Sequence, residues 1–218
     1  MPESESSDRS WIVAGVVGLA ALALFVPRLH PSVPGGDAGE LIVAASRLEI
    51  AHPPGYPLYT LLAHAATWLP FGSVAWRVNL FSALCQAAAA ALVAATVRAA
   101  TRSTTAASLA GLAFAFSPLV FAYAVGAEVF GLHDLLVALL IYLTLRWRQN
   151  AGGLGLATAV AAVIGLGLAH HHTIVFYAVP VLVWLLWCGR ELRAIRALGV
   201  LGIAIAVGAM IDAAIVMI

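Results

Sequence analysis

Hydrophobic residues fill long blocks of this chain and polar ones are confined to the joints between them, a pattern that predicts a bundle of membrane-crossing helices. Blocks at residues 11–29, 76–97, 105–125, 130–147, 154–169, 173–187 and 197–218 each approach the roughly 17–25 residues that span a bilayer. The expected fold class is therefore an all-α membrane protein with about seven spans. Between the first two blocks, residues 31–75 follow a different rhythm. Leu41, Ile42, Ala44, Ala45 and Leu48, then Leu58, Leu61, Leu62, Ala65, Trp68 and Leu69, recur at helical spacing. Two amphipathic interfacial helices fit this stretch, separated by the stiff corner His52-Pro53-Pro54-Gly55.

Composition agrees with the pattern: 63% of residues are hydrophobic and 10% charged, against about 25% charged in soluble domains. The first ten residues are polar and acidic, and no small-residue cleavage site follows residues 11–26. The first block therefore reads as a retained span with a cytoplasmic tail at 1–10, and residues 11–218 as one module. Glycines spaced as in Gly152-Gly153-Leu154-Gly155 and Gly165-Leu166-Gly167 suit close helix packing. A net charge of +1 gives no basic surface for nucleic acid. Cys85 and Cys188 fall in different spans, which argues against a disulfide or a metal pair.

The arginines divide by side. Arg9, Arg98, Arg102, Arg146, Arg148, Arg190, Arg193 and Arg196 fall on one side of the expected topology, Arg28, Arg47 and Arg77 on the other, which makes the N-terminal side cytoplasmic. The same topology sends His30, His52, His64, His133 and His170-His171-His172, with Asp37, Glu40, Glu49, Glu128, Asp134 and Asp212, to the opposite face. Side chains capable of acid–base chemistry thus collect on the non-cytoplasmic side.

Within 31–75, Asp37 and Glu40 stand three apart and precede Leu41-Ile42-Val43. This reads first as a capping box with Asp37 as N-cap, and a carboxylate held in place by a cap can also serve as a base. Gly35-Gly36 before it allows close backbone approach to a ligand. His52 suits a hydrogen bond to phosphate or sugar, or simple packing beside Tyr56. Arg47 and Arg77 suit phosphate contacts or snorkelling toward head groups. Glu128, where the third block emerges, is costly to bury and so marks function or a pairing with histidine. Three consecutive histidines point about 100° apart on a helix and do not make a tetrahedral metal site.

Five segments carry a resemblance: Gly35-Gly36-Asp37-Ala38-Gly39-Glu40-Leu41, Ala51-His52-Pro53-Pro54-Gly55-Tyr56-Pro57-Leu58, Phe71-Gly72-Ser73-Val74-Ala75-Trp76-Arg77-Val78-Asn79-Leu80, Ala127-Glu128-Val129-Phe130 and His172-Thr173-Ile174-Val175. In this order they resemble the transmembrane protein O-mannosyltransferase family, formerly a domain of unknown function, which looks like a branch of the type C glycosyltransferases. The resemblance implies transfer of mannose or a similar sugar, with inversion, from a polyprenyl-phosphate donor to a protein or glycan hydroxyl on the non-cytoplasmic side. The membrane would be a bacterial cytoplasmic membrane, or the endoplasmic reticulum in a eukaryote. It also implies Asp37 as catalytic base with Glu40 beside it, and His52, Tyr56, Arg77, Glu128 and His172 as substrate-binding residues. No metal or other cofactor is expected. Family members continue with further spans, so the chain is expected to cover the N-terminal half of a longer protein, and its activity alone is open. A polyprenyl-lipid carrier is the alternative, although no internal duplication is visible; an inactive truncated subunit is another.

Overall fold

A computed structural model describes residues 3–150 and 153–188, in which every regular element is a helix and there is no strand. The elements are α1 (Glu3–Phe25), α2 (Ala38–Arg47), α3 (Pro57–Ala66), α4 (Val74–Thr101), α5 (Thr104–Ala115), α6 (Pro118–Ala124), α7 (Phe130–Gln149), α8 (Leu154–Leu168) and α9 (Val175–Cys188). Short 3-10 turns follow α1 and precede α9.

Among the described residues, three stretches are long and apolar enough to cross a membrane: Trp11–Arg28, Val74–Thr101 and Phe130–Gln149. The block expected at 105–125 is broken. Helices α5 and α6 meet at 64°, because Pro118 has no N–H to continue the ladder and holds Ser117 in extended backbone. Counting that pair as one gives up to four spans. The blocks expected at 154–169 and 173–187 form apolar helices too short to be counted with these, and the block at 197–218 lies outside the described residues.

Helix ends follow local chemistry. The Ser73 hydroxyl accepts from Trp76 N–H at 3.1 Å and starts α4; the Ser103 hydroxyl does the same for α5 with Ala106 N–H. Small residues set the spacing between helices. A Cβ on Gly111 of α5 would lie 2.7 Å from Val17 of α1 and 2.8 Å from the Ala90 carbonyl of α4, so these three helices touch through the missing side chain.

Helix α4 is the axis of the bundle. One core joins it to α1, α5 and α6 through Val17, Ala21, Phe25, Ala87, Ala90 and Ala115. The other joins it to α7, α8 and α9 and also takes in α2 and α3, through Leu41, Tyr59, Val78, Leu132, Leu136 and Ile164. The two helices expected along the interface are therefore packed onto the bundle.

On α4, Asn79, Ser82 and Gln86 are fully buried polar residues on one face of an otherwise apolar helix. Asn79 donates to the carbonyls of His30 and Ser32 at 2.8 and 3.1 Å. The Ser82 hydroxyl accepts the Glu128 N–H at 3.1 Å and donates back to the Glu128 carbonyl. Gln86 donates to Asp134 at 2.9 Å. Together with His30 N–H to the Val125 carbonyl and Leu58 N–H to the Ala169 carbonyl, these bonds gather the 30–73 loop, the α6–α7 joint and the α8–α9 joint at one end. At the other, Gln149 of α7 donates to the Ala99 carbonyl of α4.

Candidate active site

Asp37 stands at the N-cap position of α2, reached through Gly36 at φ +71°, a left-handed backbone that favours glycine. The expected capping box is not made. The Asp37 carboxylate forms no cap bond, and Glu40 turns away to His52, its Oε1 accepting the His52 backbone N–H and its Oε2 lying 3.0 Å from the ring Nδ1. The His52 contact engages both Glu40 oxygens, where the cap would supply a single backbone N–H. Both carboxylates are substantially solvent-exposed, and Asp37 reaches to 4.0 Å from His52 Nε2.

Tyr56 closes the group from below. It is buried, sits at φ 48° without being glycine, and leads into α3 through Pro57. Such a backbone costs on the order of 1–3 kcal/mol, and it is held by contacts on every side. The hydroxyl is 3.2 Å from His52 Nε2, the ring meets His52 edge-on at 5.2 Å, and its face stacks on His171 at 5.6 Å.

Glu128 approaches from the α6–α7 joint, half-buried, its backbone clamped on both sides by Ser82. Burial, then the charge of Asp37, pushes its carboxyl above the usual carboxylate range, while His52 pulls it down; the three groups share one field. Glu40 goes the other way, held below its ordinary value chiefly by its hydrogen bond with His52. Burial, and then Asp37, Glu128 and Glu40, raises the Tyr56 hydroxyl, so it remains a donor.

The structure thus brings Asp37, Glu40, His52, Tyr56 and Glu128 together. Arg77 is engaged elsewhere. Its Nε and two terminal nitrogens donate to the carbonyls of Phe71, Thr67 and Gly72 at 2.8, 2.6 and 2.9 Å. Arg47 pairs with Glu49 at 3.7 Å on the surface. His172 lies at the start of the 3-10 turn before α9.

Sequence reasoning missed the layer beneath. His171 Nδ1 lies 2.7 Å from the Thr173 hydroxyl, which is 3.3 Å from His133 Nε2 on α7. His170 is buried, pushed down to about 3 by loss of solvent, and its Nε2 meets the Val129 carbonyl at 2.9 Å. A neutral ring there is a donor through Nε2. Below this layer a cavity of about 450 Å³ opens between α5, α6, α7 and α9, lined by Phe114, Tyr123, Phe130, His133, Asp134 and Tyr177 among others. Among the described residues, no group of three histidine, cysteine or acidic side chains is arranged to hold a metal ion.

The chain matches the family model described as the protein O-mannosyl-transferase TMEM260 N-terminal domain over residues 37–194. It is 44% identical to the protein O-mannosyl-transferase TMEM260 of Mus musculus over 185 residues, covering 82% of this chain and 26% of that protein. It is 34% identical to the protein O-mannosyl-transferase tmem260 of Dictyostelium discoideum over 182 residues, covering 74% of this chain and 22% of that one. The chain therefore spans about a quarter of the length of these relatives. No solved structure matches it.

Proposed function

This chain belongs to the protein O-mannosyl-transferase TMEM260 family through its N-terminal domain, and from that premise we propose that it carries the catalytic loop of a membrane enzyme moving mannose or a similar sugar from a polyprenyl-phosphate donor to a protein hydroxyl. The observation that carries this reading is Asp37: a carboxylate at a helix start, released from capping, exposed, and facing His52 at the end of the bundle where Glu40, Tyr56 and Glu128 converge.

In the proposed reaction the acceptor oxygen forms a bond to the anomeric carbon as the bond from that carbon to the phosphate oxygen breaks. The phosphate departs with the electron pair, the configuration inverts, and Asp37 takes the hydroxyl proton. The departing phosphate is a stable anion, so neither an acid nor a metal is required of the protein. It is better stabilised by donors already in place. The Tyr56 O–H, His52 and His172 supply these, with the Arg77 N–H groups left over from its three carbonyl bonds. Glu128, close to both Asp37 and His52, is assigned to sugar hydroxyls. The aromatic cavity between α5, α6, α7 and α9 suits the lipid moiety of the donor.

The proposed setting is a type C glycosyltransferase-like module with about seven spans, residues 1–10 cytoplasmic and loop 31–75 on the non-cytoplasmic side. The test uses the purified protein in liposomes with radiolabelled polyprenyl-phosphate mannose and a serine- and threonine-containing peptide. Label is expected on the peptide, with the opposite anomeric configuration to the donor. Label that crosses the bilayer while still lipid-linked, with no labelled peptide, would replace this reading by the carrier.

A further inference from the structure

A polyprenyl-phosphate sugar has an apolar chain at one end, a sugar at the other and a phosphate between them. The structure offers surroundings for both ends: the aromatic cavity between α5, α6, α7 and α9, and the carboxylate cluster around Asp37, Glu40 and Glu128. Two rings meet both the cluster's Tyr56 and the cavity wall, those of His170 and His171. His170 is buried and its Nε2 is taken by the Val129 carbonyl. His171 is only part-buried. It stacks on Tyr56 at 5.6 Å and meets Phe130 and His133 of the cavity wall at 5.9 and 5.4 Å.

The hydrogen of His171 is placed by its own backbone. The Thr173 N–H donates to Nδ1 at 3.3 Å, and a backbone N–H can only donate, so Nδ1 carries the lone pair. Burial, then the charge of His172, holds the ring below the ordinary imidazole range, which keeps it neutral at neutral pH. A neutral ring with a bare Nδ1 has its hydrogen on Nε2. Among the described residues nothing accepts from that Nε2.

Resting on the reading of this chain as a user of polyprenyl-phosphate sugar, we propose that His171 is a donor-binding residue: its Nε2–H bonds a phosphate oxygen of the lipid-linked sugar where Tyr56 divides the sugar side from the lipid side. The lipid then runs past Phe130 into the cavity, and the sugar lies over Tyr56 toward Asp37 and Glu128. Charge favours this place over the loop itself. A phosphate inside the loop would lie among Asp37, Glu40 and Glu128, whose like charge repels it. The acidic side chain of the cavity wall, Asp134, is tied to Gln86 of α4 by a bond of 2.9 Å. Thr173 acts through His171, since its N–H keeps Nδ1 bare and Nε2 a donor.

The experiment measures binding of radiolabelled polyprenyl phosphate, and of the polyprenol with the same tail but no phosphate, to the full chain in nanodiscs. Wild type is compared with His171→Asn and His171→Gln, both of which lose the stack on Tyr56. Asn keeps an acceptor for the Thr173 N–H and reaches no farther, whereas the longer Gln brings an amide N–H to the region of Nε2. A hydrogen bond to a charged group is worth about tenfold or more in affinity. His171→Asn should therefore weaken polyprenyl phosphate by that factor and leave polyprenol unchanged, with part of the loss recovered in His171→Gln. Wild-type affinity for polyprenyl phosphate in His171→Asn, or equal losses for the two lipids, overturns the proposal. A second reading needs no variant: polyprenyl phosphate with a diazirine on its first isoprene unit should photolabel Tyr123, Phe130 or Tyr177 in wild type, and adducts confined to residues outside the cavity overturn it too. Peptide mannosylation by wild type together with unchanged binding in His171→Asn would remove His171 and leave the enzyme reading standing. Full transfer by Asp37→Asn would remove the base and leave these binding results in place.

Discussion

Arg77 poses the sharpest choice between scaffold and substrate contact. Replacing it with methionine keeps an unbranched aliphatic side chain and deletes the three bonds to the carbonyls of Thr67, Phe71 and Gly72. A hydrogen bond from a charged donor contributes about 1.5–3 kcal/mol when desolvated, but water replaces one that is exposed. Two of the three are exposed and only the bond to Thr67, at 2.6 Å, is part-buried. The loss should therefore be that of one such bond, about 2 kcal/mol in all. For a domain of this size that lowers the melting temperature by roughly 4–8 °C. Thermal unfolding in nanodiscs measures it, and hydrogen exchange across 67–73 shows whether the loop between α3 and α4 has opened. Unchanged melting and unchanged loop protection, together with donor KM raised tenfold or more, would refute the clasp and make Arg77 chiefly a phosphate ligand.

Further outcomes follow from the packing and electrostatics. Gly111→Ala puts a methyl group 2.7–3.0 Å from atoms of α1 and α4 and should cost about 1–3 kcal/mol. Gly15→Ala, with nothing within 4 Å, should be neutral or slightly stabilising; equal melting temperatures for the two would contradict the three-helix contact. Burial raises the Glu128 pKa, so the folded state binds that proton more tightly than the unfolded one. Its contribution is complete below the ordinary carboxylate range and is lost as pH rises through the raised value. Glu128→Gln should therefore melt progressively higher than wild type as pH goes from 4 to 8, and a constant gap would count against it.

The bundle itself was largely legible. Hydropathy found 11–29, 76–97 and 130–147, which coincide with α1, α4 and α7 to within a few residues apart from the polar start of α1, because a run of apolar residues that must satisfy its backbone has one choice in lipid. It missed the 64° break in 105–125, since a window average does not register that Pro118 ends the ladder. The two loop helices showed in their spacing, but their docking on α4, α7 and α8 is a tertiary fact. At the site, the Asp-x-x-Glu spacing located the start of α2 correctly and misjudged its hydrogen bonds, because the competing partner, His52, is twelve residues beyond Glu40 and is returned to it only by the turn that ends α2 at the left-handed Leu48. The buried polar stripe of Asn79, Ser82 and Gln86 was readable in principle as three polar residues on one face of an apolar span. His171 and Thr173 were not, since nothing local says that Tyr56 stacks there.

Everything chemical here depends on one carboxylate. Asp37→Asn keeps the size of the side chain and removes no cap bond, so the variant should melt like wild type while its kcat for mannose transfer from the lipid donor to the peptide falls about 10²–10⁴-fold. Transfer at the wild-type rate by that folded variant would contradict the assignment.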